Sequence, residues 1–178
     1  MAAGALVEEL TFRGYLIKNL AEGLRCRIIG PRWAAVLAIV VSSLLFGQGH
    51  AGNLNATAFS TVNTIIVALL VLSAGYALTG ELALPLGFHA AWNFVQVCVL
   101  GLSGGASVLG ASFIGLSGKG PTLWTGGAYG PEGGLLGTAA FVLGFVAILG
   151  WVRRRHGSVR LHPSLAQPPM RPLCGSVT

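Results

Sequence analysis

Aspartate is absent from this 178-residue chain, and charge of either sign is scarce. Asp, Glu, Lys and Arg together make up 9% of the residues, against about a quarter in a soluble domain. With 53% hydrophobic residues and a mean hydropathy of +0.74, the chain has too little polar surface to face water on all sides, which argues against an ordinary soluble domain. Cysteine is sparse too. Cys26, Cys98 and Cys174 are scattered with no CxxC spacing, which argues against a disulfide framework or a zinc knuckle. There is no heptad seam, no internal repeat, no phosphate-cradling Gly loop and no RNA-binding motif. A signal peptide is excluded because no basic region precedes an apolar core and Glu8 and Glu9 interrupt the first apolar stretch.

The remaining charges are placed unevenly. No Asp, Glu, Lys or Arg occurs from Trp33 to Gly80, from Leu82 to Gly118, or from Gly133 to Val152. A charge at the bilayer centre costs roughly 2.5–3.5 kcal/mol on insertion scales, so the gaps read as membrane spans and lipid is the expected partner. Ten of the eleven basic residues lie before Trp33 or after Val152. The chain's net charge of +6 therefore reads as topology signal, not as a nucleic-acid footprint. Arg25, Arg27 and Arg32 flank one span, and Arg153, Arg154 and Arg155 follow another directly.

These features predict an all-α fold, a polytopic transmembrane helix bundle with spans at about 5–24, 33–49, 56–78, 82–102 and 134–152. Four spans separate the two basic clusters, and an even number returns the chain to one side. Both clusters are thus expected on the cytoplasmic face of the plasma membrane. Residues 1–155 form the expected core. Residues 103–133, rich in Gly, Ser and Thr, read as a long loop that is re-entrant where it lines a cavity. Residues 156–178, rich in Pro and Arg, read as a disordered cytoplasmic tail.

Ionisable and amide groups inside apolar spans are functional candidates. Glu9 and Arg13 are four apart and share a helix face. Glu8 points about a quarter turn away without a local counter-charge, which suits a general base or acid; a solvated amphipathic face explains the same residues. His50 ends a span otherwise free of ionisable groups, and an interfacial hydrogen-bonded histidine is the plainer account. His89 and Asn93 are four apart on the next span, where Asn could donate to a developing oxyanion or simply join two helices. Together the set can bind a metal, with zinc accepting Glu8, His50 and His89, or can activate water without one.

The stretch Glu8-Glu9-x-x-Phe12-Arg13-Gly14 resembles the EExxxR signature of the CAAX-protease/bacteriocin-processing (CPBP, or Abi) family of intramembrane proteases, type II CAAX prenyl endopeptidase-like. Phe46-x-x-x-His50 and His89-x-x-x-Asn93 resemble its second and third motifs, in order and at fitting spacing. The similarity runs over roughly residues 5–152 and takes in the segment 125–133. It implies a helical bundle with a water-accessible cavity and an endopeptidase acting on membrane-associated proteins or peptides. Eukaryotic members remove the last three residues of prenylated CAAX proteins; bacterial members, which the Ala- and Gly-rich composition favours here, are tied to peptide processing or immunity. By the resemblance, Glu8 activates water with His50, His89 and Asn93 stabilise the oxyanion, and Glu9, Arg13 and Phe46 brace the site. The family has been described as both metallo- and glutamate-type, which leaves the metal open.

Two departures stand out. Family members carry several spans before the first motif, whereas Glu8 has seven residues before it, so the bundle is expected to be N-terminally incomplete. Helix counting at 1.5 Å per residue also places His50 roughly 15 Å further along its span than His89 along its own, so a tilt, a dipping loop or shifted boundaries would have to bring them together. Two rivals remain. Gly101-Leu102-Ser103-Gly104-Gly105 matches the GxSxG of serine hydrolases, without the strand-to-helix elbow that motif needs. A non-enzymatic membrane immunity or scaffolding protein of the same fold is the other.

Overall fold

The computed structural model describes residues 2–102, 112–116 and 119–166. All regular structure among them is helical. The first helix, α1, covers residues 2–23 and widens into π-helical turns over Leu10–Ile17. It is followed by α2 (Pro31–His50), α3 (Ala58–Thr79) and α4 (Ala83–Val99). A single short turn, α5 (Thr122–Thr125), precedes α6 (Leu135–His156), and α7 (Pro163–Ala166) closes the described chain. Helices α2, α3 and α6 are long and apolar enough to cross a membrane; α4, at 17 residues, is shorter.

Local chemistry sets the ends. Pro31 occupies the first turn of α2, where its missing N–H costs nothing. Thr57 and Ser60 form a reciprocal capping box at the start of α3, at 3.0 and 2.8 Å. Gly80 ends α3 in the left-handed region, with φ 74°. A side chain there is excluded twice, because a Cβ would also strike the His162 ring.

Consecutive helices run antiparallel. Ser42 Oγ donates to the Phe12 carbonyl at 2.9 Å, joining α1 to α2. Gly75 on α3 meets Leu84 and Pro85 on α4. Helix α6 returns parallel to α3, with Thr138 beside Asn63 and Gly144 beside Val71. The start of α2 and the end of α6 therefore lie at one end of the bundle, and Arg32 and Arg160 line a shared crevice there.

The helices hide small residues and show large ones to lipid. The inner face of α2 is Ala34, Ala35, Ala38, Ser42, Ser43 and Gly47, while Leu37, Leu44 and Leu45 are 41–50% exposed. Small residues allow the close backbone approach that drives helix association where burial offers no hydrophobic gain. Ile17, Ala35, Ala38, Tyr76 and Ala77 form one apolar cluster at the basic end. Phe46, Val71, Leu72, Phe141 and Ile148 form another in the middle.

Two expectations need correction. The tail is ordered up to Ala166: the His162 N–H donates to the Ala77 carbonyl at 2.8 Å and Leu165 is 2% exposed inside the basic-end cluster. Leu161 and Leu165 supply the apolar anchors that the Pro- and Arg-rich composition masked. The loop before α6 is likewise built of short helical turns over Thr122–Thr125, Gly127–Tyr129 and Pro131–Gly133. Residues 103–111, which include Ser103 and much of the expected re-entrant segment, lie outside the described residues, as do 167–178 of the tail.

Gly47 tests the close α2–α3 approach. A Cβ there would strike the Ile65 side chain and sit 3.0 Å from the Ile65 nitrogen and 3.2 Å from the Thr61 carbonyl oxygen, whereas a Cβ on Gly49 meets nothing within 4 Å. Gly47→Ala is expected to cost about 1–3 kcal/mol and Gly49→Ala to cost nothing, as read from thermal unfolding in detergent.

Candidate active site

Three helices bring their polar residues to one cavity of about 480 Å³ in the half of the bundle away from the basic end. Glu8 comes from α1, Phe46 and His50 from α2, and His89, Trp92 and Asn93 from α4; Glu132, from the turn before α6, lines it as well. The π-helical turns begin directly after Glu9 and directly after Asn93. Such turns shift the helical phase and recur at functional sites.

The innermost element is an ionic chain. Arg13 Nη1 donates to Glu9 Oε1 at 3.1 Å, and both side chains are at most 1% exposed. His89 Nδ1 lies 2.8 Å from the same oxygen. A carboxylate only accepts, so Nδ1 carries the hydrogen and Nε2 is the nitrogen turned to Glu8, whose Oε2 is 3.7 Å away. The Arg13 guanidinium also lies 4.3 Å from the centroid of the Phe46 ring, within cation–π range. Glu8 Oε2, Glu9 Oε2 and two Arg13 nitrogens are buried without a hydrogen-bond partner among the described residues. Glu8 as a whole keeps 35% of its side chain open and lines the cavity, so a molecule bound there can reach its carboxylate.

His50 is oriented by its own helix. Its Nδ1 donates to the Phe46 carbonyl at 2.8 Å, which leaves Nε2 with a lone pair. The different depths of His50 and His89 are bridged by a side chain. The Phe46 ring packs 4.5 Å from the His50 ring and 6.2 Å from the His89 ring, edge-on to the latter. Among the described residues, no three His, Cys, Asp or Glu side chains converge as metal ligands. Glu8 and His89 are neighbours, and His50 lines the same cavity with the Phe46 ring against it.

Glu132 was not among the residues singled out by motif. Its marks in the sequence are that it is the one acidic residue after Glu81 and that it falls in the segment 125–133 that resembles the family. Its Oε1 accepts from Trp92 Nε1 at 2.7 Å. Burial raises its carboxyl above the usual carboxylate range and Glu8 adds to the rise, while the Trp92 hydrogen bond, His50 and His89 oppose it. Asn63, 1% exposed, fixes the backbone around it by donating to the carbonyls of Glu132 and Gly134, both at 3.0 Å.

Comparison with known families gives one match: a family described as type II CAAX prenyl endopeptidase Rce1-like, over residues 1–95, more than half of the chain. Comparison with curated proteins and with solved structures gives no match.

Two outcomes follow from this geometry. Arg13→Met leaves the Glu9 carboxylate without its cation in a dry site and is expected to cost about 3–5 kcal/mol, measured by thermal unfolding in detergent. A carboxyl with a raised folded-state pKa keeps its proton in the folded protein after the unfolded chain has released it. Its stabilising share is complete below the unfolded value and is lost as pH rises through the folded one. The stability of the parent relative to Glu132→Gln should therefore fall as pH rises from 4.5; a difference that stays flat or grows would contradict the assignment.

Proposed function

The chain belongs to the Rce1-like type II CAAX prenyl endopeptidase family, and we propose on that footing that it is an intramembrane endopeptidase that hydrolyses peptide bonds of membrane-associated proteins or peptides with water activated by Glu8 and His50. The observation that carries this reading is the orphaned Glu8 Oε2, buried in the wall of the cavity and 3.7 Å from His89 Nε2. A carboxylate oxygen of this kind is where a water would be bound and deprotonated. His50 Nε2, left unprotonated by the Nδ1 hydrogen bond, is the second proton acceptor at the same cavity.

The water oxygen attacks the scissile carbonyl carbon, and its proton passes to Glu8 or His50. The carbonyl oxygen becomes an oxyanion in the part of the cavity lined by His89 and Asn93, where the Asn93 amide N–H can donate to it and His89 Nε2 can do so once it has taken a proton. When the tetrahedral species collapses, the C–N bond breaks and the protonated Glu8 or His50 returns its proton to the leaving amine. Glu9 and Arg13 take no proton in this scheme. They hold His89 Nδ1, so that Nε2 stays directed at Glu8. The Phe46 ring supports both imidazoles. A zinc ion held by Glu8, His50 and His89 is the alternative way to activate the water, and the orientation proposed has both Arg clusters on the cytoplasmic side of a bacterial plasma membrane.

The test is hydrolysis of quenched peptides, prenylated and unprenylated, by the detergent-purified protein. Glu8→Ala and His50→Ala are each expected to lower the rate at least about a hundredfold, and a chelator is expected to leave it unchanged. Loss with chelator and recovery with zinc would put a metal in the mechanism. Mutants as fast as the parent, or a folded parent that cleaves nothing, would favour a non-enzymatic immunity or scaffolding role for the same fold.

A further inference from the structure

The family match ends at residue 95, yet the cavity is completed by a residue well beyond it. Trp92 sits on α4 between His89 and Asn93, and its indole N–H donates to Glu132 Oε1 at 2.7 Å. The ring itself is stacked against Phe88, with centroids 6.3 Å apart, and tilted against Phe141, at 4.8 Å. Ring contacts of this kind tolerate sliding; a single N–H···O bond to a fixed carboxyl is directional.

Glu132 is fixed from a third direction. Asn63 Nδ2 holds the Glu132 and Gly134 carbonyls, and its Oδ1 accepts from Thr138 Oγ1 at 2.7 Å. The turn is also too tight for side chains at its glycines: a Cβ on Gly137 would strike the Pro131 carbonyl and one on Gly126 the Gly130 carbonyl. A chain of contacts thus runs from α3 and α6 through Glu132 to Trp92. Helix α4 is gripped by Glu9 at His89 and by Glu132 one turn later. Two grips on adjacent turns set the rotation of a helix about its axis, which one alone does not.

We infer that Glu132 is a positioning residue for the reaction: through Trp92 it sets the rotation of α4 that turns His89 and Asn93 into the cavity. This rests on the function proposed above. Glutamine keeps a carbonyl oxygen for the indole N–H, whereas alanine does not, and Trp92→Phe removes the donor but keeps an aromatic ring.

The experiment measures kcat and KM for the parent, Glu132→Ala, Glu132→Gln, Trp92→Phe and the Glu132→Ala/Trp92→Phe double variant, each confirmed folded by thermal unfolding. Misplaced catalytic groups lower turnover more than affinity. Glu132→Ala and Trp92→Phe should each lose about tenfold or more in kcat, with KM within about threefold. The double variant should be no worse than either single one, since both break one contact. Glu132→Gln should restore the rate to within about threefold of the parent. Unchanged kcat in either single variant, losses that multiply in the double, or Glu132→Gln as damaged as Glu132→Ala would overturn the inference. Carbethoxylation of His89, followed by mass spectrometry, separates this from failure of the proposed function, because it needs no turnover. If the parent cleaves nothing, a His89 reactivity altered in Glu132→Ala and Trp92→Phe but not in Glu132→Gln still supports the positioning role, and identical reactivity in all of them overturns it.

Discussion

A carboxylate at 1% exposure in an apolar bundle, Glu9, is the constraint around which the cavity end of the molecule is arranged. An ionised group there is tolerable only when it is paired and hydrogen-bonded. Arg13 supplies the charge from one turn along α1, and His89 supplies the second donor from α4. The Arg13 guanidinium in turn rests on Phe46 from α2. One ionic contact thereby locks three helices in register, and each reactive candidate is a neighbour of it. Glu8 precedes Glu9, His50 lies one turn beyond Phe46, and Asn93 lies one turn beyond His89.

Much of this was legible in the sequence because it depends on short spacings. The charge-free stretches pointed to apolar helices, since inserting a charge into lipid is penalised wherever it falls, and three of the helices are long and apolar enough to cross a membrane. The Glu9–Arg13 pair followed from i,i+4 geometry alone. Contacts between distant segments were not legible. Trp92 meets Glu132 forty residues away, across a Gly-rich stretch that reads as irregular loop. Leu165 stands in a Pro- and Arg-rich tail whose few apolar residues show no helical or strand period to say that it is buried. The depth of His50 against His89 could not be settled by counting along each helix, because the bridging element is a ring, Phe46, that belongs to a motif for its spacing and acts through its width.

The two ends of the bundle differ in how they are packed. At the basic end, alanines on α1, α2 and α3 sit in the apolar cluster between the helices. Towards the other end aromatic side chains take over: Phe12, Phe46, Phe88, Trp92 and Phe141 pack among the helices there. A cavity survives between them because flat rings cannot fill the space that their own bulk opens. Polar side chains then enter where water can reach them, which reconciles a lipid-facing exterior with hydrolytic groups inside.

The buried position of Leu165 carries a consequence for how the molecule is made. Its neighbours in the cluster are Ile17, Ala21, Ala35, Ala38, Tyr76 and Ala77, all synthesised long before it. Helices inserted one after another during translation leave this corner with an uncovered notch until the ribosome has passed residue 165. Helices α1, α2 and α3 thus reach their final packing at this corner only after α6 and the segment behind it have been made.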